Sequence, residues 1–198
     1  MKVFGTGMQR TGTTSLARGL KLLGIKTRDC PKELYRDIDH ETVRAHDAFT
    51  DNPIPLLYRE LDQRHPGSKF IHTEREESRW LASVEWLFTV GRVKFSWDKH
   101  PEFDQFHRDL YGTTEFEPDA FLAKYRAHNR EVRDHFAGRP DDLLILDLST
   151  GAGFDVICPF LGLEVPDVEF PHSNQKEGLW TVRAKKLVRR FLPRSGRK

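Results

Sequence analysis

Short apolar runs alternate with segments of helical periodicity along this chain. The apolar runs are predicted to be buried strands: KVFGTG (2–7), SKFIHTE (68–74) and DLLILDLS (142–149). Helical spacing follows in four segments: 15–23, about 78–90, 116–138 and 151–162. This alternation predicts an α/β fold, with three α/β/α layers and a mostly parallel central sheet. Ligands of such sheets bind beyond the carboxyl ends of the strands.

The segment from 91 to 117 does not follow this pattern. It has six aromatic residues without helical or strand spacing: Phe95, Trp97, Phe103, Phe106, Tyr111 and Phe116. Two interpretations are open. The segment forms a lid or an acceptor pocket over the ligand site, or its aromatic side chains cover one end of the core.

Composition favours a single domain spanning residues 1–198. No apolar run is long enough to cross a membrane, and no secretory leader is expected. The chain has two cysteines, Cys30 and Cys158, and neither has the C-x-x-C spacing of a zinc site. These features predict a cytoplasmic protein without disulfides or a required metal.

The positive charge is concentrated at the end of the chain, where residues 181–198 are predicted as a basic helix. The last sixteen residues hold eight of the 32 Lys and Arg and no acid, so the preceding chain is acidic overall. This helix either packs on the core with its charges outward, or makes peripheral contact with an anionic partner. No nucleic-acid binding is expected, because aromatic residues do not alternate with the basic ones. The oligomeric state is not predicted.

The segment GMQRTGTTSL, Gly7 to Leu16, has the outline of a phosphate-binding P-loop. It lies between a predicted strand and a predicted helix, which is the context such a loop requires. Thr13 replaces the usual lysine, and Arg10 stands inside the loop instead. Loop amides, the helix N-terminus and a permanently charged guanidinium can bind a phosphate without that lysine.

A second candidate anion site lies in TEREESRWLAS (73–83). Arg75 is placed at the end of a strand and Ser83 about two helical turns later, so both can face the same end of the sheet as the P-loop. They can bind a second phosphate there. The alternative for Arg75 is an ordinary surface ion pair.

These motifs together resemble the P-loop sulfotransferase-like family, in particular its small microbial branch. The resemblance also rests on four segments that follow in order: FTDNPIPLLYREL, YRAHNREV, LLILDLSTGAGF and FLGLEVPDVEFPHSN. It covers the chain from Val3 to about Asn174. It implies transfer of a sulfonyl group from 3′-phosphoadenosine 5′-phosphosulfate (PAPS) to a hydroxyl, less often an amine, of a small-molecule acceptor.

The resemblance also implies roles for individual residues. Arg10 takes the place of the cation that lies near the bridging oxygen and the sulfonate, where many relatives have lysine. The cradle of the 5′-phosphosulfate corresponds to Thr11, Gly12, Thr13, Thr14 and Ser15. Arg75 and Ser83 correspond to the pair that binds the 3′-phosphate. Larger relatives have an aromatic residue where Ser15 stands, and they have a late Arg-Lys-Gly segment that has no counterpart in SNQKEGLW.

The acceptor hydroxyl needs a base, and the resemblance places this base between the first helix and the strand before Arg75. We predict Asp51 as the base, with His46 and His72 as reserves. The alternative for Asp51 is a turn or cap before Pro53. Trp80 and Trp86 are predicted to pack in the core, with one able to stack on adenine. Lys176 either closes over the 3′-phosphate or is a solvated loop residue.

Three other interpretations remain open. The first is a P-loop kinase or NTPase, because LLILD ends at Asp147 like a magnesium-binding strand. The second is a dinucleotide-binding loop in GTGMQR, which lacks the third glycine of that motif. The third is a degenerate, non-enzymatic member that only binds anions.

Overall fold

The computed structural model describes residues 1–97 and 100–172. It contains a five-stranded, all-parallel sheet in the order β2-β3-β1-β4-β5. The strands are β1 (Val3–Gly5), β2 (Thr27–Asp29), β3 (Ala48–Thr50), β4 (Lys69–Thr73) and β5 (Leu143–Leu146). The predicted α/β class and the parallel sheet are confirmed.

Helices connect the strands and cover both faces of the sheet. They are α1 (Thr13–Leu22), α2 (Glu41–Ala45), α3 (Ile54–Arg64), α4 (Glu77–Trp86), α5 (Arg92–Phe95), α6 (Glu102–Tyr111), α7 (Pro118–Phe136) and α8 (Phe154–Leu161). A π-helical turn, Leu87–Gly91, joins α4 to α5. The predicted helical segments coincide with α1, α4, α7 and α8 to within a few residues.

Successive side chains of β1 point to opposite faces of the sheet and so belong to different parts of the core. Phe4 packs with α3 and α7, whereas the adjacent Val3 packs with α1 and α8. Side chains of a strand point to opposite faces in turn, so a strand of three residues supplies both layers. This arrangement places α1, with its N-terminus at the P-loop, directly against the centre of the sheet.

A third, aromatic cluster lies beside the sheet, between α4, α6 and α7. Trp80 stacks on Tyr125 and Tyr111 stacks on Phe121, each with ring centroids 4.1 Å apart. Phe106, Tyr111 and Trp97 are buried in this cluster. Several aromatic residues of the 91–117 segment therefore do cover one end of the core.

Two local details differ from the sequence-based expectation. β4 ends at Thr73, so Arg75 lies two residues beyond the strand rather than at its last position. β2 was not predicted, because only one of its three residues is buried and so short an edge strand has no periodicity. The predicted basic helix (181–198) and Lys176 lie outside the described residues. No helix in the described ranges is both long and apolar enough to cross a membrane.

Candidate functional site

The P-loop between β1 and α1 is held tightly against β4. The Thr11 hydroxyl donates to the Met8 carbonyl oxygen at 2.7 Å and lies 2.6 Å from the Thr73 hydroxyl. The Thr11 N–H also donates to the Met8 carbonyl, at 3.2 Å. Thr11, predicted to contact the donor, therefore uses both groups to fix the shape of the loop.

Gly7 permits this close approach. A Cβ atom at Gly7 would lie 2.0 Å from Thr73 Oγ1 and 2.5 Å from the Thr73 carbonyl oxygen. We expect Gly7→Ala to lower the free energy of unfolding by about 2 kcal/mol or more, because β4 would have to shift. Gly138→Ala is the matched control, since nothing lies within 4 Å of its added Cβ. Urea denaturation of both variants measures the effect, and equal stabilities would contradict this role for Gly7.

The N-terminus of α1 faces open space without a cap from any described side chain. Gly12 precedes it with a φ of 111°, a conformation that glycine adopts readily. Thr13 and Ser15 are buried and Thr14 is exposed at this end of the helix. The first-turn N–H groups and the helix dipole therefore favour an anion here.

Arg10 lies across the loop from this helix end. Its Nε donates to Ser83 Oγ at 3.0 Å, and its guanidinium lies 5.0 Å from the centre of the Trp86 ring. Burial lowers the pKa of Arg10, opposed by the nearby Asp51 and reinforced by Arg75. The pKa remains that of a group charged at neutral pH.

Arg75 joins the same cluster. Its Nη1 donates to the carbonyl oxygen of Arg10 at 3.3 Å, and its backbone is held at both N–H and C=O by the Tyr125 hydroxyl, each at 2.8 Å. The Nε of Arg75 is buried and has no hydrogen-bond partner among the described residues. The structure thus brings Arg75 and Ser83 together at Arg10, next to the P-loop.

Two positive charges converge here without a compensating ion pair. Neither Arg10 nor Arg75 forms a salt bridge to any acid within residues 1–97 and 100–172. Like charges repel, so such an arrangement costs free energy unless an anion binds between them. It is the electrostatic signature of a site for a highly charged ligand.

Asp51 follows β3, is half-buried, and lies close enough to Arg10 for its charge to oppose the lowering by burial of the pKa of that guanidinium. Its carboxylate accepts a hydrogen bond from the Asn52 N–H at 2.9 Å. Burial, together with the nearby Asp29, raises the pKa of Asp51 to about 6. A carboxylate with this pKa is ionised at neutral pH and is a stronger base than an exposed aspartate.

A cavity of about 490 Å³ lies beside the P-loop, Arg10 and Asp51, whereas Arg75 lines a separate cleft of about 40 Å³. It is lined by Gln9, Arg10, Gly12, Thr13, Thr14, Ser15, Cys30, Lys32, Asp51, Asn52, Leu87, Phe95, Trp97, His100, Phe103 and His107. Three aromatic residues of the 91–117 segment, Phe95, Trp97 and Phe103, form part of its wall. The segment therefore contributes to a pocket as well as to the core.

The two reserve bases lie elsewhere. His46 precedes β3 and Asp51 follows it, so the two residues lie at opposite ends of this strand. The Nδ1 of His46 lies 3.0 Å from the Thr42 carbonyl oxygen. His72 is fully buried in β4, where its ring nitrogens contact Thr6 Oγ1 and Asn129 Oδ1. Neither histidine lines the cavity, so Asp51 is the predicted base that lies at the site.

Sequence reasoning missed a polar network in the cavity floor. Gln9 Oε1 accepts from Asn52 Nδ2 at 2.9 Å and lies 3.4 Å from His107 Nε2. Gln9 Nε2 donates to the Tyr111 hydroxyl at 3.0 Å. Burial lowers the pKa of His107 to about 3, so its ring is neutral. These residues are far apart in sequence. Gln9 lies in the P-loop segment and Asn52 within TDNP, but neither motif indicates that the two side chains meet His107.

Asp147 and Trp80 have structural roles. The Asp147 carboxylate accepts from the Ser149 N–H at 2.7 Å and caps the short 3-10 helix Leu148–Thr150. The kinase interpretation needs this carboxylate for magnesium, so the cap weakens it. Trp80 is fully buried, with its Nε1 donating to the Gln9 carbonyl oxygen. The described residues contain no group of three or more His, Cys, Asp and Glu that could hold a metal ion.

Comparison with known proteins identifies the family. Residues 31–179 match the model described as a sulfotransferase domain. The chain belongs to the sulfotransferase domain family. A similar protein from Aspergillus versicolor, "Ava biosynthesis cluster protein M", is 28% identical, with 90% of this chain and 82% of the relative aligned.

A solved structure supports the sulfotransferase fold. The crystal structure of a sulfotransferase from Alicyclobacillus acidocaldarius superimposes with a TM-score of 0.54 and 16% identity, covering 94% of this chain and 90% of the other. The family match begins after the P-loop, so the loop and the match are separate observations. The loop indicates an anion site, and the match identifies the family.

Proposed function

We propose that this protein transfers a sulfonyl group from PAPS to the hydroxyl of a small-molecule acceptor. One observation carries the proposal: Arg10 and Arg75 converge at the uncapped N-terminus of α1, and Asp51 lines the same cavity as Arg10. Arg10, Arg75 and the helix N-terminus suit an anionic donor, and Asp51 suits an acceptor that must lose a proton. Membership of the sulfotransferase domain family supports sulfonyl rather than phosphoryl transfer.

The residues fit the proposed donor. The N–H groups at the start of α1 suit its 5′-phosphosulfate, and the unpartnered Arg75 Nε suits its 3′-phosphate. A small cleft of about 40 Å³ between Gly12, Ser15, Arg75 and Ser149 lies against the back of the loop. Ser83 accepts a hydrogen bond from Arg10, so these two residues hold each other in place beside Arg75.

The chemistry divides between two side chains. The donor supplies the sulfonyl group. Asp51 accepts the proton of the acceptor hydroxyl, whose oxygen then forms the new bond to sulfur. Arg10 stabilises the negative charge that develops on the phosphate as the old sulfur–oxygen bond breaks. Thr13 stands where a nucleotide-hydrolysing P-loop has lysine, and it lines the same cavity as Asp51.

The acceptor is proposed to be small, because the cavity of about 490 Å³ is the size of an ordinary ligand pocket. The Aspergillus relative is named as a member of a biosynthesis cluster, which supports a small-molecule acceptor for this chain as well. The part of the cavity wall outside the P-loop comes from Cys30, Lys32, Asp51, Asn52, Leu87, Phe95, Trp97, His100, Phe103 and His107.

Calorimetric titration with 3′,5′-adenosine bisphosphate tests the donor class. We expect micromolar binding that Arg75→Ala weakens by about ten- to a hundredfold, because a charged hydrogen bond to phosphate is lost. Arg79→Ala, which removes an exposed arginine on α4, is the matched control and should bind as the wild type does. Magnesium-dependent binding of ATP would favour the kinase interpretation, and binding of neither nucleotide would indicate a degenerate member.

A further inference from the structure

A second cavity adjoins the first, and Asn52 lies where they meet. The second cavity has a volume of about 330 Å³. Asn52, Lys32 and Phe103 line both cavities. Tyr35, Pro53 and Phe106 contribute apolar surface to the second one, which we call the side chamber. A molecule larger than a single ring could extend past Asn52 from one space into the other.

Asn52 is a polar residue buried at this junction, with an exposed fraction of 8%. Its amide nitrogen donates to Gln9 Oε1 at 2.9 Å. Its amide oxygen is buried and has no hydrogen-bond partner within the described ranges. Buried carbonyl oxygens are nearly always paired, so an unpaired one that lines two cavities requires an explanation.

The surrounding network occupies the nitrogen of the Asn52 amide. Gln9 Nε2 donates to the Tyr111 hydroxyl, and Gln9 Oε1 faces Asn52 and His107. An oxygen can only accept, so the group that Asn52 presents to Gln9 is its nitrogen. The Asn52 oxygen is therefore the end of the amide that has no partner among the described residues.

We propose that Asn52 is a specificity-determining residue that accepts a hydrogen bond from a second hydroxyl or N–H group of the acceptor. This inference rests on the proposed function. The reacting hydroxyl has one proton, which goes to Asp51, so it cannot also donate to Asn52. The acceptor class is thus an aromatic alcohol with a second hydrogen-bond donor. Its ring would contact the apolar surface around Phe103, and its second donor would lie at the entrance to the side chamber.

Benzenediols provide a direct test, because they place the second hydroxyl at three different spacings. Catechol, resorcinol and hydroquinone are compared with phenol by calorimetry and ligand-observed NMR, using protein saturated with 3′,5′-adenosine bisphosphate. We expect at least one diol to bind the wild type about tenfold more tightly than phenol, since a site with an unpaired polar group discriminates by its hydrogen bond. In Asn52→Leu this preference should fall to about twofold or less, with phenol affinity retained.

Gln63→Leu is the matched control. It replaces an exposed amide on α3 by leucine, and Gln63 lines neither cavity. The variant should keep the preference for the diol and bind the bisphosphate normally. Loss of the preference in Gln63→Leu as well would show that the effect does not come from Asn52, which would overturn the proposal.

Other outcomes also overturn it. Equal binding of phenol and all three diols to the wild type would show that the Asn52 oxygen is satisfied by water alone. A preference that survives in Asn52→Leu would place the second donor on another residue. An error in the proposed function would be detected separately, because the wild type would then not bind the bisphosphate before any phenol is added.

Discussion

Arg10→Ala is expected to reduce the rate of sulfonyl transfer by about 10²–10³, the effect of removing one group that stabilises developing charge. Donor affinity should fall by much less, because Arg75 and the α1 N-terminus remain in place. The difference between the two effects is what separates a role in the transition state from a role in binding. Single-turnover transfer to a phenol or diol that the wild type accepts measures the first effect, and bisphosphate titration measures the second.

Two variants sharpen this test of Arg10. Arg10→Lys keeps the charge but loses the Nε bond to Ser83, and we expect it to retain most of the rate. Ser83→Ala removes the same bond from the other side and leaves the guanidinium, so it should affect donor affinity more than turnover. Unchanged turnover in Arg10→Ala would remove this residue from the chemistry.

Asp51→Asn is expected to lower turnover by about 10² or more with donor binding intact, because the amide cannot accept the acceptor proton. Asparagine keeps an oxygen that can accept from the Asn52 N–H, so the local structure should be preserved. The wild-type rate should rise with pH through about 6, the pKa of Asp51, and then level off. The residual rate of the variant should lack this step, and normal turnover in the variant would exclude Asp51 as the base.

The same substitution has an expected effect on stability. The folded protein holds the Asp51 pKa at about 6, above its ordinary 3.8, so the folded state binds the proton more tightly than the unfolded state. Asp51 therefore favours folding below pH 4, and this contribution is lost as the pH rises to 6. Asp51→Asn should be more stable than the wild type at pH 8, by about 1–2 kcal/mol after allowance for its partial exposure, but not at pH 3. An equal change at both pH values would contradict the raised pKa.

Sequence reasoning was most successful where chemistry and context coincide. The P-loop could be predicted because glycine positions, hydroxyl residues, a preceding strand and a following helix all occur within one short segment. Arg75 and Ser83 were predicted to face the P-loop from their spacing alone. In the structure they meet at Arg10, because β4 lies next to β1 and α4 begins directly after Arg75.

The acceptor side of the site could not be predicted in the same way. Gln9, Asn52 and His107 are brought together by long-range packing, and no local pattern links them. His46 was named as a reserve base because the resemblance places the base between the first helix and the strand before Arg75, yet His46 and Asp51 lie at opposite ends of β3. Trp86 packs against the aromatic cluster as expected, and its ring centre also lies 5.0 Å from the Arg10 guanidinium, which the sequence did not indicate. In each case the deciding information was the order of strands and the packing of α6, which a single sequence does not contain.

The backbone at Arg10 restricts how this position can change during evolution. Its φ of 73° lies in the left-handed region, which β-branched residues such as valine, isoleucine and threonine rarely adopt. A residue that replaces Arg10 must therefore meet two requirements: it must tolerate this backbone conformation, and it must carry a positive charge. Lysine satisfies both requirements, whereas glycine or asparagine satisfies only the first. Homologues that have lost the cation but kept the loop should thus be enriched in glycine and asparagine at this position, which would mark them as binding proteins rather than enzymes.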